Sequence, residues 1–171
     1  MKTLRFGLLG AAGLVLALSA ARADDKLPAN DREFLMQAVK AGHAEVKFSE
    51  LAGKHSQNEK VRELAKRLTD DHTAANKQLT QMARNQRVAV VAGFERDKRD
   101  IYMNLSKLNG ADFDREYTKQ MVEDHEAAIK LFEHEAKIGT DQNIKKFAED
   151  TLPTLREHLK QAQMVQSSLS K

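Results

Sequence analysis

The sequence has no cysteine and no tryptophan, and only two of its 171 residues are proline. Without cysteine there can be no disulfides, no thiolate metal ligands and no cysteine nucleophile. Aromatic residues make up 5% of the chain, and valine and isoleucine are also sparse. The remaining composition, rich in Ala, Leu, Lys, Glu and Gln, favours helices held by an apolar core or by a bound ion.

The first residues have the three parts of a secretory signal peptide. Lys2 and Arg5 precede an apolar run over 6–18, and Ser19-Ala20-Ala21-Arg22-Ala23 supplies a small-x-small cleavage site. The run is shorter than the ~20 apolar residues of a membrane-spanning helix. We predict a cleaved signal peptide over 1–23, a short linker over 24–30 and one domain over 31–171. The alternative is an uncleaved segment that anchors the domain at a membrane.

Cleavage changes the charge of the protein. The chain has 28 basic and 25 acidic residues, and Lys2, Arg5 and Arg22 fall within the predicted signal peptide. Without them the two kinds are equal in number, which gives no support for a nucleic-acid partner. From the signal peptide we predict an exported, periplasmic protein with no stable membrane span. Secretion from the cell is the alternative. A protein partner or a homo-oligomer is also compatible with the sequence.

Four segments carry apolar residues at helical spacing, which predicts an all-α four-helix bundle. The predicted helices are A over 31–55, B over 59–84, C following Asn109–Asp112 and D following Gly139–Asp141. Asn30 or Asp31 is the predicted N-cap of helix A. Pro153 should kink helix D, because proline removes a backbone donor and crowds the preceding turn.

The connection from helix B to helix C, over 85–112, is too long for a tight turn. Its segment 95–108 can form a short helix on Ile101, Leu105 and Leu108. A long connection between two helical hairpins is typical of a ferritin-like four-helix bundle, whereas an up-down-up-down bundle is the alternative.

The two predicted hairpins resemble each other. A shift of 83 positions aligns Asp31-Arg32-Glu33-Phe34 with Asp114-Arg115-Glu116-Tyr117 and gives 12 identities without a gap. A repeated hairpin predicts approximate two-fold symmetry. The alternative is that two amphipathic hairpins of similar composition match by chance.

Several polar residues fall on the apolar faces of the predicted helices. His72, His125 and His158 lie on B, C and D, and Glu45 lies at the edge of A. Buried carboxylates are costly unless they are paired or bound to a metal, and mixed imidazole and carboxylate ligands suit Fe, Mn, Zn or Cu. We take these four residues as candidate metal ligands. Second choices, as ligands or as their hydrogen-bond partners, are Asp124, Glu135 and Tyr117.

A buried hydrogen-bond network without metal is the alternative interpretation of the same residues. The other three histidines fall away from the apolar faces and are expected at the surface: His43, His55 and His134.

A set of short motifs resembles the DUF4142 family of exported bacterial proteins, which belongs to the ferritin-like superfamily. The motifs are Phe-x-x-x-Ala at 34–38, Gly-x-x-Glu-Val at 42–46, Asp-Asp-His at 70–72, Phe-Asp-x-x-Tyr at 113–117, Glu-Asp-His at 123–125 and Leu-Pro-x-Leu-x-x-His-Leu at 152–159. The resemblance implies a ferritin-like fold and leaves the biochemical role undefined.

The sequence departs from di-iron ferritins, which carry Glu-x-x-His on two helices, because no Glu here has a His three residues later. No nucleophile elbow or phosphate-binding loop is present either, so no catalytic residue is predicted. The predicted function is a transition-metal binder for storage, buffering or stress defence. The alternative is a non-enzymatic interaction or structural module of the cell envelope that holds no metal.

Overall fold

A computed structural model describes residues 26–91, 93–94 and 96–169. This part of the chain contains five helices, which are α1 (Ala29–His55), α2 (Glu59–Asn85), α3 (Arg96–Leu105), α4 (Gly110–Ile138) and α5 (Gln142–Leu169), and no strand. The all-α prediction is confirmed, and the predicted signal peptide lies outside the described residues.

Contacts at the two ends of the bundle establish its topology. At the end of α1, the Nδ1–H of His55 donates to the carbonyl oxygen of Leu108, just before α4, over 2.8 Å. At the start of α1, the carboxylate of Asp31 accepts the backbone N–H groups of Thr140 and Asp141, between α4 and α5, over 3.0 and 2.8 Å. Helices α1 and α4 are therefore antiparallel, and α2 and α4 run in the same direction. The connection that carries α3 spans the length of the bundle, as in ferritin-like folds.

The helix boundaries follow the predicted repeat. The shift of 83 residues carries the end of α1, His55, onto the end of α4, Ile138. It also carries the start of α2, Glu59, onto the start of α5, Gln142. The two hairpins thus match in length and register, as a duplicated hairpin would.

The predicted N-cap of the first helix is wrong. Helix α1 begins at Ala29, within the predicted linker, and its capping position is Pro28 without a side-chain hydrogen bond. The carboxylate of Asp31 instead binds the turn between α4 and α5, a tertiary contact that the local sequence does not reveal. Capping side chains are present elsewhere, since Asn58 accepts backbone N–H groups at the start of α2 and Asp141 does so at the start of α5.

The short helix and the proline also differ in detail from expectation. Helix α3 ends at Leu105, because Lys107 and Leu108 turn back to donate to the carbonyl groups of Asn104 and Leu105. Glu95, its predicted start, lies outside the described residues. Pro153 lies inside α5, which continues as helix on both sides of it, and the kink stays a prediction.

The apolar core consists of two clusters, one near each end of the bundle. The first contains Phe34, Phe132 and Phe147, in which the rings of Phe34 and Phe132 meet edge to face with centroids 5.0 Å apart. The second contains Phe48, Phe113 and Tyr117. Between the clusters lies a buried polar layer, which consists of Glu45, His72, Asn76, His125 and His158.

Among the described residues, no helix has both the length and the apolar character needed to cross a bilayer.

One end of the bundle contains a group of buried carboxyl groups around Asp31. Glu135 is 1% exposed, its Oε1 has no hydrogen-bond partner, and a Cβ at Gly139 would come within 2.6 Å of that oxygen. Burial, followed by the charge of Asp31 and a hydrogen bond to it, raises the pKa of Glu135 to about 7. Glu135 is therefore half protonated near neutral pH in the folded protein.

We expect Glu135 to weaken the fold progressively as pH rises from 5 to 8. Its folded-state pKa of about 7 lies above its ordinary value of 4.5, so in this window the folded state binds a proton that the unfolded state has released. The free energy of unfolding of the Glu135→Gln variant, relative to that of wild type, should therefore increase as pH rises. Urea unfolding at pH 5, 6.5 and 8 measures this difference.

The control for this experiment is Glu116→Gln, which removes an exposed carboxylate from the same helix. Its offset from wild type should stay constant with pH. Parallel pH profiles for Glu135→Gln and wild type would contradict the prediction.

Candidate metal centre

Three imidazoles from three helices converge in the polar layer. His72 comes from α2, His125 from α4 and His158 from α5, and they are 8%, 1% and 1% exposed. The ring centroids form a nearly equilateral triangle with sides of 5.4, 5.5 and 5.4 Å. One nitrogen from each ring lies within 4.8 Å of those from the other two, so the three rings are placed to hold a metal ion.

Hydrogen bonds outside the triangle assign the tautomers of two of these rings. The Nδ1 of His125 lies 2.8 Å from the carbonyl oxygen of Met121, which can only accept, so Nδ1 carries the proton and Nε2 keeps its lone pair. The Nε2 of His158 lies 2.8 Å from the carboxylate of Asp71, so Nδ1 keeps the lone pair. Metal-binding histidines are commonly oriented in this way by a carbonyl or carboxylate on the outer nitrogen.

One distance inside the triangle matches the spacing of two ligands on one metal ion. The Nε2 atoms of His72 and His125 are 3.4 Å apart. Two nitrogens bound to one ion at about 2.0–2.1 Å with tetrahedral angles lie about 3.3–3.4 Å apart. The Nδ1 of His158 is buried and has no hydrogen-bond partner, which is costly for a polar atom unless something binds it.

The three imidazoles are neutral at pH 7, as metal ligation requires. Burial, followed by the proximity of His125 and His158, lowers the pKa of His72 to about 3. Burial also lowers the pKa of His125 to about 4, against the hydrogen bond to Met121. The pKa of His158 is lowered by burial in spite of its bond to Asp71.

A cavity of about 360 Å³ adjoins the three rings. It exists because the helices present small residues here, among them Ala41, Gly42, Ala75 and Ala128. Buried acceptor atoms without partners are concentrated on its wall, namely Glu45 Oε2, Asn76 Oδ1, Asp124 Oδ2 and His158 Nδ1. Unpaired acceptor atoms such as Asn76 Oδ1 and His158 Nδ1 on the cavity wall are suited to a cation or a hydrogen-bond donor.

Glu45 lies beside the triangle rather than within it. Its Oε1 is 3.9 Å from Nδ1 of His125, the nitrogen that bonds to Met121, and therefore faces the outer side of that ring. Asp124 forms an ion pair with Lys98 of α3 and accepts a hydrogen bond from Gln120. Burial first, and the charge of Asp124 second, raise the pKa of Glu45 well above its ordinary value, which Lys98 opposes.

The other second-choice residues lie elsewhere. Tyr117 is in the second core cluster, where its hydroxyl lies 2.9 Å from that of Ser49 and its ring stacks on Phe113. Glu135 belongs to the cluster of buried carboxyl groups at the end of the bundle, near Asp31. The structure does not bring either of them to the three imidazoles.

The three remaining histidines differ from one another in exposure. His134 is exposed and His43 half-buried. His55 is also half-buried and stacks on Phe113 with ring centroids 5.5 Å apart, so the predicted surface positions of His43 and His55 are only partly correct.

Sequence reasoning missed Asn76 and Lys98 on the cavity wall. Asn76 follows His72 by one helical turn, so the periodicity used for the histidines could have found it. Lys98 comes from the long connection, and no local pattern places it near His125.

Solved structures with a similar fold include two DUF305 proteins. A DUF305 fragment from Deinococcus radiodurans is 13% identical, with a TM-score of 0.74 over 83% of this chain and 98% of that chain. A DUF305 protein from Streptomyces coelicolor is 14% identical, with a TM-score of 0.74 over 86% of this chain and 95% of that one.

CopM is similar in both its Cu(I)-bound and its Cu(II)-bound form. The TM-scores are 0.65 and 0.69 at 17% and 16% identity, over 78% and 81% of this chain and 93% and 96% of CopM. At these identities the similarity shows a shared helical fold. A comparison with curated proteins finds no match.

The family model of DUF4142, a domain of unknown function, matches residues 16–165. The matched region includes the three converging histidines and all of α1 to α4. The resemblance inferred from the sequence motifs is confirmed, and the chain belongs to the DUF4142 family.

Proposed function

We propose that this protein is an exported metal binder that holds one transition-metal ion between His72, His125 and His158. The observation that carries the proposal is the convergence of three buried, neutral imidazoles, two of which have their lone pairs directed away from their outer hydrogen bonds. The unpartnered Nδ1 of His158 supports it, because an ion would satisfy this atom.

Copper is the first candidate for the ion, followed by zinc. Imidazole nitrogens suit both metals, whereas manganese and magnesium favour carboxylate and other oxygen ligands, and no carboxylate belongs to the group of three. CopM, which shares the fold, has been solved with bound Cu(I) and Cu(II). Iron stands lower, since the group lacks the bridging carboxylates of di-iron bundles.

The proposed role is metal storage or buffering, which would also serve defence against metal stress. The ion would lie in the middle of the bundle, between the two core clusters, where contact with solvent is limited. Export is inferred from the charged start, the apolar run over 6–18 and the cleavage site at Ala23.

A purely structural role of the polar layer is the second candidate. The separation of 3.4 Å between Nε2 of His72 and Nε2 of His125 also suits an N–H···N hydrogen bond, with the proton on His72. In this case the layer would only orient the helices, and the protein would act in the cell envelope through its surface.

Metal content distinguishes the two candidates. We expect untagged wild-type protein to retain about one ion per chain after loading with Cu²⁺ or Zn²⁺ and dialysis, and the double variant His72→Ala/His125→Ala to retain less than about a tenth of that, because only one imidazole of the three remains. Elemental analysis by mass spectrometry measures both.

The matched control is His43→Ala/His134→Ala, which removes two histidines outside the site and should load like wild type. Circular dichroism verifies that all proteins remain helical. Equal metal content in the wild type and in the His72→Ala/His125→Ala variant, whether one ion or none, would exclude the proposed site and favour the structural role.

Bound metal should also stabilise the fold. At a free-ion concentration of about 100 times Kd, binding to the folded state alone adds about 2.7 kcal/mol, which corresponds to a rise in Tm of roughly 5–10 °C for a domain of this size. Differential scanning calorimetry with and without Cu²⁺ measures the shift. The His72→Ala/His125→Ala variant should show none, and an equal shift in both proteins would indicate binding elsewhere.

A further inference from the structure

Two carboxyl groups, those of Glu45 and Asp124, lie beside the three imidazoles on the wall of the cavity. Side-chain exposure is 6% at Glu45, 11% at Asp124 and 30% at Lys98, a series that marks one path from solvent to His125, which is 1% exposed. All four side chains line the cavity next to the imidazoles. A cation that entered along this path would meet carboxylate oxygens before it met imidazole nitrogens.

The two carboxyl groups have fewer hydrogen bonds than buried polar groups usually have. Glu45 Oε2 and Asp124 Oδ2 receive no hydrogen bond from any donor group among the described residues. The two side chains come from facing helices, α1 and α4, and interact with each other. Two nearby carboxyl groups with free oxygens inside a protein are costly unless a cation or a shared proton lies between them.

The protein itself places a positively charged side chain, Lys98, next to these two carboxyl groups. The ammonium of Lys98, on α3, forms the ion pair with Asp124 and lies 5.9 Å from the centroid of the Phe48 ring. Helix α3 has a single buried residue, Leu105, whereas the four long helices each bury seven or more. The lysine is thus carried by the least buried helix of the bundle.

We propose that Glu45 and Asp124 form an entry site that passes a metal cation to His72, His125 and His158, and that Lys98 occupies this site in the metal-free protein. The oxygens of the two carboxyl groups bind the hydrated cation and replace part of its water. The neutral imidazoles, deeper in the bundle, then bind it more tightly, because borderline ions such as Cu²⁺ and Zn²⁺ favour nitrogen ligands.

Lys98 has a defined part in this scheme. Its positive charge repels an incoming cation and competes with it for Asp124. Entry therefore requires the ammonium to leave Asp124, a movement that a flexible lysine stem and a lightly buried helix permit. Loss of the ammonium should open the site, and loss of the carboxyl groups should close it.

This inference rests on the proposed metal site, and rates of loading test it separately from the site itself. Cu²⁺ uptake is followed by its visible absorption in a stopped-flow instrument at low ionic strength. We expect Lys98→Met to load at least about threefold faster than wild type and Glu45→Gln/Asp124→Asn about tenfold slower, since charges near the path govern the encounter rate. The final content should remain one ion per chain in both variants.

The controls each change one charge at an exposed position next to the site. Arg99→Met removes a positive charge from α3, and Glu123→Gln removes a negative charge from α4. Both should load at the wild-type rate. Addition of salt should reduce the difference between Lys98→Met and wild type, because exposed charges are screened.

The outcomes separate the two proposals. If wild type loads one ion and the His72→Ala/His125→Ala variant does not, but Lys98→Met and the carboxyl variants load at rates within twofold of wild type, the entry site is excluded and the metal site stands. If wild type takes up no ion, both proposals fall. Should Glu45→Gln/Asp124→Asn not fold, the rate of Lys98→Met alone decides, since this lysine is partly exposed.

Discussion

The packing of three imidazoles into the middle of the bundle is the constraint on which the rest of the core depends. Rings from α2, α4 and α5 meet there with centroids 5.4–5.5 Å apart, and the apolar core is consequently divided into two clusters. Under the 83-residue repeat, His125 corresponds to Gly42 and His158 to Ala75. At these two positions the second hairpin therefore has an imidazole ring where the first has a small residue. The smaller side chains of the first hairpin leave open space that rings on both hairpins would have filled. A Cβ at Gly42 would come within 2.1 Å of Asn76 Oδ1, so this space is closely bounded on the α1 side.

The same arrangement makes the polar layer the least satisfied part of the interior. Of the six buried side-chain atoms without a partner among the described residues, four line the cavity beside the imidazoles. An unsatisfied buried group costs about 1–3 kcal/mol, and whole domains are stable by only 5–15 kcal/mol or so. Several such atoms on the wall of one cavity therefore favour the binding of a cation or of water molecules there. A cation bound there would meet unpaired acceptors, so the groups that weaken the free protein are those that would favour the bound state.

The fold followed from the sequence because its causes are local and periodic. Apolar spacing located the four long helices, and the repeat matched α1 to α4 and α2 to α5 in register. The same periodicity placed His72, His125 and His158 inside, since each lies near the apolar face of its own helix. The direction in which a side chain points does not determine its position along the bundle axis. Glu135 and Tyr117 therefore also point inward but lie away from the three imidazoles. Contacts between distant segments were out of reach for the same reason. Asp31 binds the turn before α5, Asp71 orients His158, and Lys98 reaches Asp124, and each pairing depends on the packed geometry.

The direction of α4 explains why a lysine from a connection stands next to the site. Because α2 and α4 run the same way, the chain must return along the full length of the bundle between them, and it does so against α1 and α4. Any such crossover passes the middle layer, where Phe94 and Lys98 join the cavity wall. An up-down-up-down bundle would join α2 to α4 by a short turn at one end, and the outer side of Glu45 and Asp124 would face solvent directly. The long connection thus supplies both the topology of the fold and a cover for the carboxyl groups beside His125. That cover includes the ammonium of Lys98, so the topology of the bundle places next to Asp124 the group that we propose to control the entry of cations.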